Sequence, residues 1–383
     1  MPASVKTSHR TRCPDAKFVL QLNIPTMRVA ALVPYHQDYC AGQRFRVEAW
    51  ARLLQARGIS FSFLPFASPE LTSVLYQRGR LLTKAVSLAR CCIEQTARVL
   101  RESRPDVVYI YREASLVGPA LIERLTRRWR APIVYDLDEP LFMSYLSPSN
   151  GRLSALKWAS KTDALMRMSD QVWAVNRAIG DYATQFSRCV EIVPMAVDTE
   201  RYVSAPPLGQ DAPLRVGWVG TRTSQTNLEA VVEPLARLHQ SHGATLSVVA
   251  DEPLSFDGVP VEFTPWSWEV EVPSMHRCQI ALVPVRPDTW SPWKFYYKLV
   301  QCMSMGIPVV ASPMGSNLEI VEDGRTGFFA DTPDEWYDRM RQLADDPDLR
   351  RSMGAAARRV VEERFSLRGQ IDFLEGQLTA AAA

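Results

Sequence analysis

The chain has 383 residues, of which 46% are hydrophobic and 22% are charged, which is the composition of a globular protein with room for two hydrophobic cores. No stretch approaches the ~18 uninterrupted apolar residues of a membrane-spanning helix, and seven cysteines without a CxxC pair disfavour a disulfide framework and a zinc knuckle. The net charge of +2 is unevenly distributed along the chain. Residues 1–205 are basic, with 28 Lys and Arg and 18 Asp and Glu, and residues 206–383 are acidic, with 16 Lys and Arg and 24 Asp and Glu. The basic half favours an anionic partner, or the two halves are simply solvated surfaces.

Residues 1–26 are polar and basic and contain no apolar segment of the kind that a secretory signal needs. We therefore expect a loose N-terminal tail before the first strand. Together with the unpaired cysteines, this favours a reducing, cytoplasmic location.

Short apolar runs rich in β-branched residues follow the tail, and longer helical patterns separate most of them. The predicted strands are 28–34, 60–66, 106–111, 132–138, 171–176, 190–195, 214–220, 245–251, 261–266, 280–285 and 307–312. The predicted helices include 44–57, 72–103, 115–129, 226–241 and 333–346. Strands that are apolar on both faces and alternate with helices predict an α/β fold with parallel sheets covered on both sides.

The alternation restarts after a stretch with three prolines, "VSAPPLGQDAPLR". Such a stretch is typical of an interdomain linker. We predict two Rossmann-like doubly wound domains at 27–202 and 213–365, joined by a linker at 203–212. A C-terminal helix and tail are expected at 366–383. Because ligands of such sheets bind at the carboxyl ends of the strands, two facing domains predict a cleft with room for two substrates.

The stretch "KFYYKLVQCMSMGIPVVAS" at 294–312 predicts a helix that feeds a buried strand. Pro292 suits a first helical turn, which predicts a helix start near Ser291, and Gly306 suits the left-handed residue that ends a helix. On a helical wheel, Lys294, Lys298 and Gln301 share one face. A helix N-terminus with two ammonium groups would hold a diphosphate, although a surface helix with solvated lysines has the same pattern.

The segment 294–330, with "MGIPVVAS", "GSNLEIV" and "DGRTGF", resembles the nucleotide-sugar segment of family 4 type retaining glycosyltransferases, which have the GT-B fold. "VEIVPMAVDTERY" and "LRVGWVGT" are similar to that family's approach to its linker and to the glycine turn of its nucleotide domain. The resemblance covers most of 27–365. It implies transfer of a sugar from a nucleotide-diphosphate sugar to an acceptor, with retention and without a metal ion or another cofactor.

Three positions depart from the family pattern. The family's pair of glutamates, eight positions apart, falls here on Trp293 and Gln301. An amide at 301 can still bond ribose hydroxyls, but Trp293 replaces a residue that touches the transferred sugar in the family. After the glycine turn only Arg222 is present, without a nearby lysine.

The resemblance and the positions of strand ends together predict the following site residues. Catalysis is assigned to Lys294 and His36, donor binding to Gly220, Thr221, Arg222, Lys294, Lys298, Gln301, Ser316, Asn317 and Glu319, and acceptor binding to Tyr35, Arg44 and Asp138, with Arg46 as an alternative to Arg44. No metal ligand is assigned. Asp136 and Asp138 have the spacing of a Mg²⁺ or Mn²⁺ pair, but caps or acceptor contacts are favoured over a metal.

Several alternatives stay open. Trp266 and Trp268 suit stacking on a nucleobase or ordinary packing. The basic amphipathic stretch 72–103 suits peripheral contact with the inner face of a membrane, or a solvated helix that covers the sheet. The basic residues match no nucleic-acid reader motif, so nucleic acid is not expected. A transferase fold that has lost turnover, or an epimerase acting on the nucleotide sugar, would share the same sequence features.

Overall fold

The computed structural model describes residues 27–77, 79–143, 158–209 and 212–383, and these form two six-stranded sheets in which every pair of neighbouring strands is parallel. The strands are β1 Met27–Val33, β2 Ile59–Pro65, β3 Val107–Tyr111, β4 Ile133–Leu137, β5 Gln171–Ala174, β6 Val190–Ile192, β7 Arg215–Val219, β8 Thr245–Ala250, β9 Val261–Pro265, β10 Ile280–Val283, β11 Val309–Ala311 and β12 Gly327–Phe329.

The first sheet has the order β2-β1-β3-β4-β5-β6, and the second has the order β12-β11-β10-β7-β8-β9. All eleven predicted strands are present within a few residues of their predicted bounds. The twelfth, β12, is missing from the prediction because its three residues follow the turn-forming "EDGRT" and show no periodicity of their own.

Helices cover both faces of each sheet. The helices are α1 Ala41–Gln43, α2 Ala49–Gln55, α3 Pro69–Leu75, α4 Leu81–Arg101, α5 Leu121–Leu125, α6 Ser160–Met168, α7 Arg177–Ala183, α8 Arg222–Gln225, α9 Val232–His242, α10 Glu271–Met275, α11 Tyr297–Ser304, α12 Asn317–Ile320, α13 Pro333–Asp345, α14 Pro347–Arg364 and α15 Leu367–Ala382. A π-helical turn, Arg44–Glu48, joins α1 to α2, and 3-10 turns lie at Thr126–Trp129, Thr226–Val231 and Ser291–Trp293.

The basic stretch predicted at 72–103 divides into two helices, α3 and α4, with Arg80 in the left-handed region at φ 52° between them. Gly306 ends the segment after α11 with φ 66°, which confirms its predicted role, because a left-handed residue costs glycine little. Among the described residues, no helix is both long and apolar enough to cross a membrane.

The last helix does not remain with the second domain. Ile371, Leu374 and Leu378 of α15 are buried in one cluster with Val29 and Trp50 of the first domain. Arg57, which follows α2, forms ion pairs with two acidic residues of α15. The chain therefore returns to the first sheet at its end, where the predicted C-terminal helix packs against the first domain.

Candidate active site

The carboxyl ends of both sheets face one cleft, and direct contacts cross it. The side-chain amide of Asn176, which follows β5, donates to the backbone carbonyl of Trp293 at 2.7 Å. Phe45, in the π-helical turn, stacks on Tyr297 with ring centroids 4.5 Å apart. The backbone N–H of Arg177 lies 3.3 Å from the Glu319 carboxylate. The cleft between two Rossmann-like domains predicted from the sequence is therefore present, and its two walls touch.

Lys294 lies in this cleft, but not on the helix predicted for it. Asp288 accepts the N–H groups of Trp290 and Ser291 and so caps a short 3-10 turn. Lys294 itself is extended, with φ −79° and ψ 145°. The predicted helix start near Ser291 is wrong, because α11 begins only at Tyr297.

Hydrogen bonds to a neighbouring loop explain this interruption. The carbonyl of Lys294 accepts from the N–H of Ser316 at 3.2 Å, and the hydroxyl of Ser316 accepts from the N–H of Tyr296 at 2.9 Å. These groups would otherwise belong to a continuous helix. The Lys294 side chain stays exposed, and no carboxylate of the described residues lies within ion-pair distance of it.

Lys298 is the second residue of α11. Like Lys294, it has no ion pair with an acidic residue within the described part of the chain. Its ammonium lies 3.3 Å from the Ser224 hydroxyl and 4.6 Å from the centre of the Trp218 ring. Burial lowers the pKa of Lys298 to about 8, and the nearby charge of Lys294 acts in the same direction. The two lysines therefore form a positive region without a direct ion pair among the described residues, and the nearest carboxylate effect on it comes from Asp288, whose pKa the charge of Lys294 helps to lower.

The turn after β7 lies beside Lys298, as the sequence predicts. A Cβ at Gly220 would come within 2.3 Å of the Trp218 ring, so only glycine fits there. Thr221 begins α8 in a reciprocal capping arrangement with Ser224. Arg222 is turned away, because its guanidinium pairs with Glu252 at 3.3 Å on the surface. The structure therefore brings Gly220, Thr221 and Lys298 together and places Arg222 at the rim.

The three predicted donor residues of the loop before and within α12 have internal partners. The Ser316 hydroxyl holds the backbone of Tyr296, and the Asn317 amide donates to the Ser312 carbonyl at 3.0 Å. The carbonyl oxygen of the buried Asn317 side chain has no partner among the described residues. Glu319 accepts from the first domain, and burial raises its pKa. These residues shape the cleft, and their contact with a donor stays a prediction.

Gln301 is part of a buried network in the second domain. Its amide donates to the Tyr202 hydroxyl at 2.6 Å and to the Glu271 carboxylate at 3.0 Å. Glu271 also accepts from Tyr202 and pairs with Arg201 at 3.3 Å. A carboxylate at position 301 would lie directly against that of Glu271, which explains why an amide occupies this position. Contact between Gln301 and a ribose stays a prediction.

The predicted acceptor residues lie at the carboxyl edge of the first sheet. Tyr35 is buried, with its hydroxyl 2.7 Å from that of Tyr76. The His36 ring is half-buried beside Tyr39, with Nε2 3.5 Å from the Thr72 hydroxyl. Arg44 lies over the rings of Phe45 and Trp268, and its buried Nε has no partner among the described residues. Both ring nitrogens of His36 therefore have protein partners, since Nδ1 also lies 3.2 Å from the Gln37 carbonyl, and among the predicted first-domain residues Arg44 is the one with an unpartnered nitrogen.

Two other predictions for this edge need correction. Asp138 is buried, and Arg112 and Tyr111 occupy its oxygens at 2.6–2.7 Å. Arg46 is fully buried and makes two bonds of 2.5 and 2.6 Å to Asp136. The carboxylates that suggested a metal pair or an acceptor contact are thus neutralised by arginines.

Trp293 packs against the first domain. Its ring meets Phe142 edge-on at 5.2 Å and Tyr182 at 6.3 Å, and these two rings stack on each other at 3.7 Å. The residue immediately before Lys294 is therefore an interdomain contact. Together with the bond from Asn176 to its carbonyl, it fixes Lys294 between the domains.

The sequence reasoning missed several residues of the cleft: Asn176, Arg177, Arg201, Glu271 and Asp288. Asn176 had a usable signal, because it lies between a buried strand and a helical pattern, where a capping side chain is expected. Asp288 stands three residues before Ser291 in "PDTWSP". An aspartate in such a turn is expected to accept backbone N–H groups of the residues that follow it. Arg201 and Glu271 lie 70 residues apart and meet only in the folded chain.

Comparison with known proteins agrees with this geometry. Residues 213–346 match the family model described as "Glycosyl transferases group 1". The spore coat protein SA of Bacillus subtilis is 28% identical over 68 residues, which are 17% of this chain and 18% of that protein. This match therefore covers less than a fifth of the relative's length.

Solved structures match nearly the whole chain. Anabaena Alr3699/HepE, in complex with UDP and glucose, has a TM-score of 0.62 at 17% identity, covering 92% of this chain and 100% of that chain. Sucrose-phosphate synthase from Thermosynechococcus elongatus has a TM-score of 0.66 at 15% identity, covering 93% and 100%. A glycosyltransferase from Rickettsia africae has a TM-score of 0.65 at 13% identity, covering 93% and 98%.

These similarities confirm the predicted fold, with two parallel sheets and flanking helices that match glycosyltransferase structures of the GT-B type. The match to the glycosyltransferase group 1 model lies within the second domain, at residues 213–346.

Proposed function

We propose that the protein is a retaining glycosyltransferase that moves a sugar from a nucleotide-diphosphate sugar to an acceptor on the first domain. One observation carries the proposal. Lys294 and Lys298 present two ammonium groups without carboxylate partners in the described chain, beside the Gly220 turn, inside an interdomain cleft. The partly buried ammonium of Lys298 has no ion pair among the described residues, and a charge in such a position is costly unless an anion binds there.

A diphosphate fits this site by charge and by hydrogen bonding. The Ser224 hydroxyl, 3.3 Å from the Lys298 ammonium, supplies a polar contact beside the Gly220 turn. Negative charge builds on the leaving diphosphate oxygen as the bond to the sugar breaks. Lys294 and Lys298 would stabilise that charge from fixed positions, which is commonly the largest contribution to catalysis. In this reading, no metal ion is required.

The acceptor would lie on the opposite wall. The guanidinium of Arg44, over the rings of Phe45 and Trp268, would bind an anionic or hydroxylated acceptor, and the His36 ring, in the loop after β1, would contact the transferred sugar or the acceptor. We propose uridine as the donor base, because Anabaena Alr3699/HepE was solved with UDP and with UDP-glucose. The retaining outcome rests on the family resemblance alone.

A catalytically weak binding protein is the second candidate, and Trp293 favours it. The side chain that stands where the family has a sugar-contacting glutamate packs into an aromatic cluster of the first domain. Such a protein would bind the nucleotide and not turn it over.

Chromatography of purified protein with UDP-sugars separates the candidates. Release of UDP that increases when an acceptor extract is added supports transfer. Conversion of the donor into an isomer without any acceptor would instead indicate an epimerase. Nucleotide binding without release of UDP from any donor would support the binding protein.

A further inference from the structure

Helix α4 exposes a continuous apolar face. Leu82, Val86, Ile93 and Leu100 are 78%, 61%, 71% and 49% exposed. Their spacing of four, seven and seven residues keeps them on one side of the helix, whereas Cys91 and the other buried positions lie on the opposite side, toward the sheet. A soluble helix normally shows polar side chains on its outer face, so this surface needs a covering partner.

The apolar face continues onto the neighbouring helix. Leu121, at the start of α5, is 64% exposed. Arg128, in the 3-10 turn after α5, donates to the backbone carbonyls of Val99 and Leu100 and so ties this turn to the end of α4. With 21 residues, α4 is about 30 Å long. The elements together present a broad apolar surface, the α4–α5 surface.

The exposed charged side chains of α4, α5 and the following 3-10 turn are all arginines, and one exposed acid of α3, Glu70, lies near Arg90. Exposed arginines border it at Arg90, Arg101, Arg124, Arg127, Arg128 and Arg130. The two acidic residues of these elements are not available to balance them. Glu94 is half-buried and pairs with Arg90 and Arg98, and Glu123 is buried and pairs with Lys161.

We infer that the α4–α5 surface binds the headgroup region of an anionic lipid bilayer. Leucine, isoleucine and valine side chains would enter the interface while the arginines bind lipid phosphates. A second copy of this chain fits poorly, because pairing two such surfaces brings arginines together. The N-terminal tail fits poorly for the same reason, since residues 1–26 contain four Lys and Arg and one acidic residue, Asp15. The inference does not depend on the proposed glycosyl transfer.

Vesicle binding by the full-length protein tests this inference. Vesicles of phosphatidylcholine mixed with phosphatidylglycerol should sediment the protein, vesicles of phosphatidylcholine alone should bind it much more weakly, and added salt should weaken binding. The double variant Leu82→Ser/Ile93→Ser should lose most of the binding. The variant Arg101→Glu/Arg124→Glu should lose at least about ten-fold, because each arginine at an anionic surface contributes about five-fold.

Controls keep the result interpretable. The side chains changed in the two double variants, Leu82, Ile93, Arg101 and Arg124, are all exposed. Thermal unfolding and UDP binding should therefore stay unchanged in both variants. Phe373→Ser, at another exposed apolar residue, and Arg351→Glu, on the second domain, should bind vesicles like the wild type. Equal binding to both kinds of vesicle, or none to either, would overturn the inference. A change in the sedimentation mass of Leu82→Ser/Ile93→Ser without any vesicle binding would assign the surface to self-association.

Discussion

The side-chain amide of Gln301 donates a 3.0 Å hydrogen bond to the carboxylate of Glu271, and both side chains are buried. The family pattern has a glutamate where this chain has Gln301. A glutamate at that position would lie next to Glu271. Because Glu271 already accepts from Arg201, Tyr202 and Gln301, an amide completes the network and a second carboxylate would oppose it.

The substitution Gln301→Glu should therefore destabilise the protein by roughly 2 kcal/mol, since two buried carboxylates in contact repel each other. Urea unfolding at neutral pH measures this. The double variant Gln301→Glu/Glu271→Gln exchanges the two groups and should recover most of the loss. A single variant as stable as the wild type would show that the Glu271 contact does not determine the residue at 301.

Trp293 should act on turnover more than on donor binding. Trp293→Ala removes the contacts with Phe142 and Tyr182, which link the domains, and leaves the Lys298 side of the cleft intact. We expect UDP affinity to fall by less than removal of the Lys294 side chain would cause, and turnover to fall at least about ten-fold further, because small displacements of catalytic groups are costly. Calorimetry and initial rates measure the two effects.

Trp293→Phe keeps an aromatic ring against the same partners and should restore much of the turnover. Small-angle scattering adds an independent reading, since loss of the interdomain contact should raise the radius of gyration. If Trp293→Ala turned over donor like the wild type, the role of Trp293 in holding Lys294 would be wrong.

Donor affinity should depend on the protonation of Lys298. Burial lowers the pKa of this ammonium to about 8, and a bound diphosphate raises it again. Affinity should therefore be full below pH 8 and fall by up to about ten-fold per pH unit above it, because binding then requires uptake of a proton. Lys298→Arg stays charged and should show a flatter profile. Identical pH profiles for the two proteins would contradict this assignment.

Arg44 and Arg46 are separated by one residue and should behave very differently. Arg46→Leu leaves the Asp136 carboxylate buried without its partner and should cost about 3–5 kcal/mol of stability. Arg44→Ala should change stability by less than about 1 kcal/mol and weaken acceptor use. Unfolding measurements and acceptor-dependent rates check the pair. Loss of stability in Arg44→Ala as large as in Arg46→Leu would rule out a binding role for Arg44.

Strand positions follow from the sequence because apolar runs such as 106–111 and 280–285 carry a local signal that tertiary structure reinforces. The failures involve partners that are distant in the chain. Lys294 leaves the helix because Ser316 binds its carbonyl, and Asp138 is occupied because Arg112 reaches it. The Trp293 contact with Phe142 likewise requires that both domains be assembled. Periodicity within one segment contains no information about such contacts.

The central claim is that Lys294 and Lys298 together bind the diphosphate of a nucleotide sugar, and calorimetric titration of UDP into matched variants tests it most directly. Lys294→Ala and Lys298→Ala should each weaken binding at least about ten-fold, because each removes a charged hydrogen bond to phosphate. Arg325→Ala, which removes an exposed positive charge outside the cleft, should bind like the wild type. Wild-type affinity in both lysine variants would contradict the proposed site.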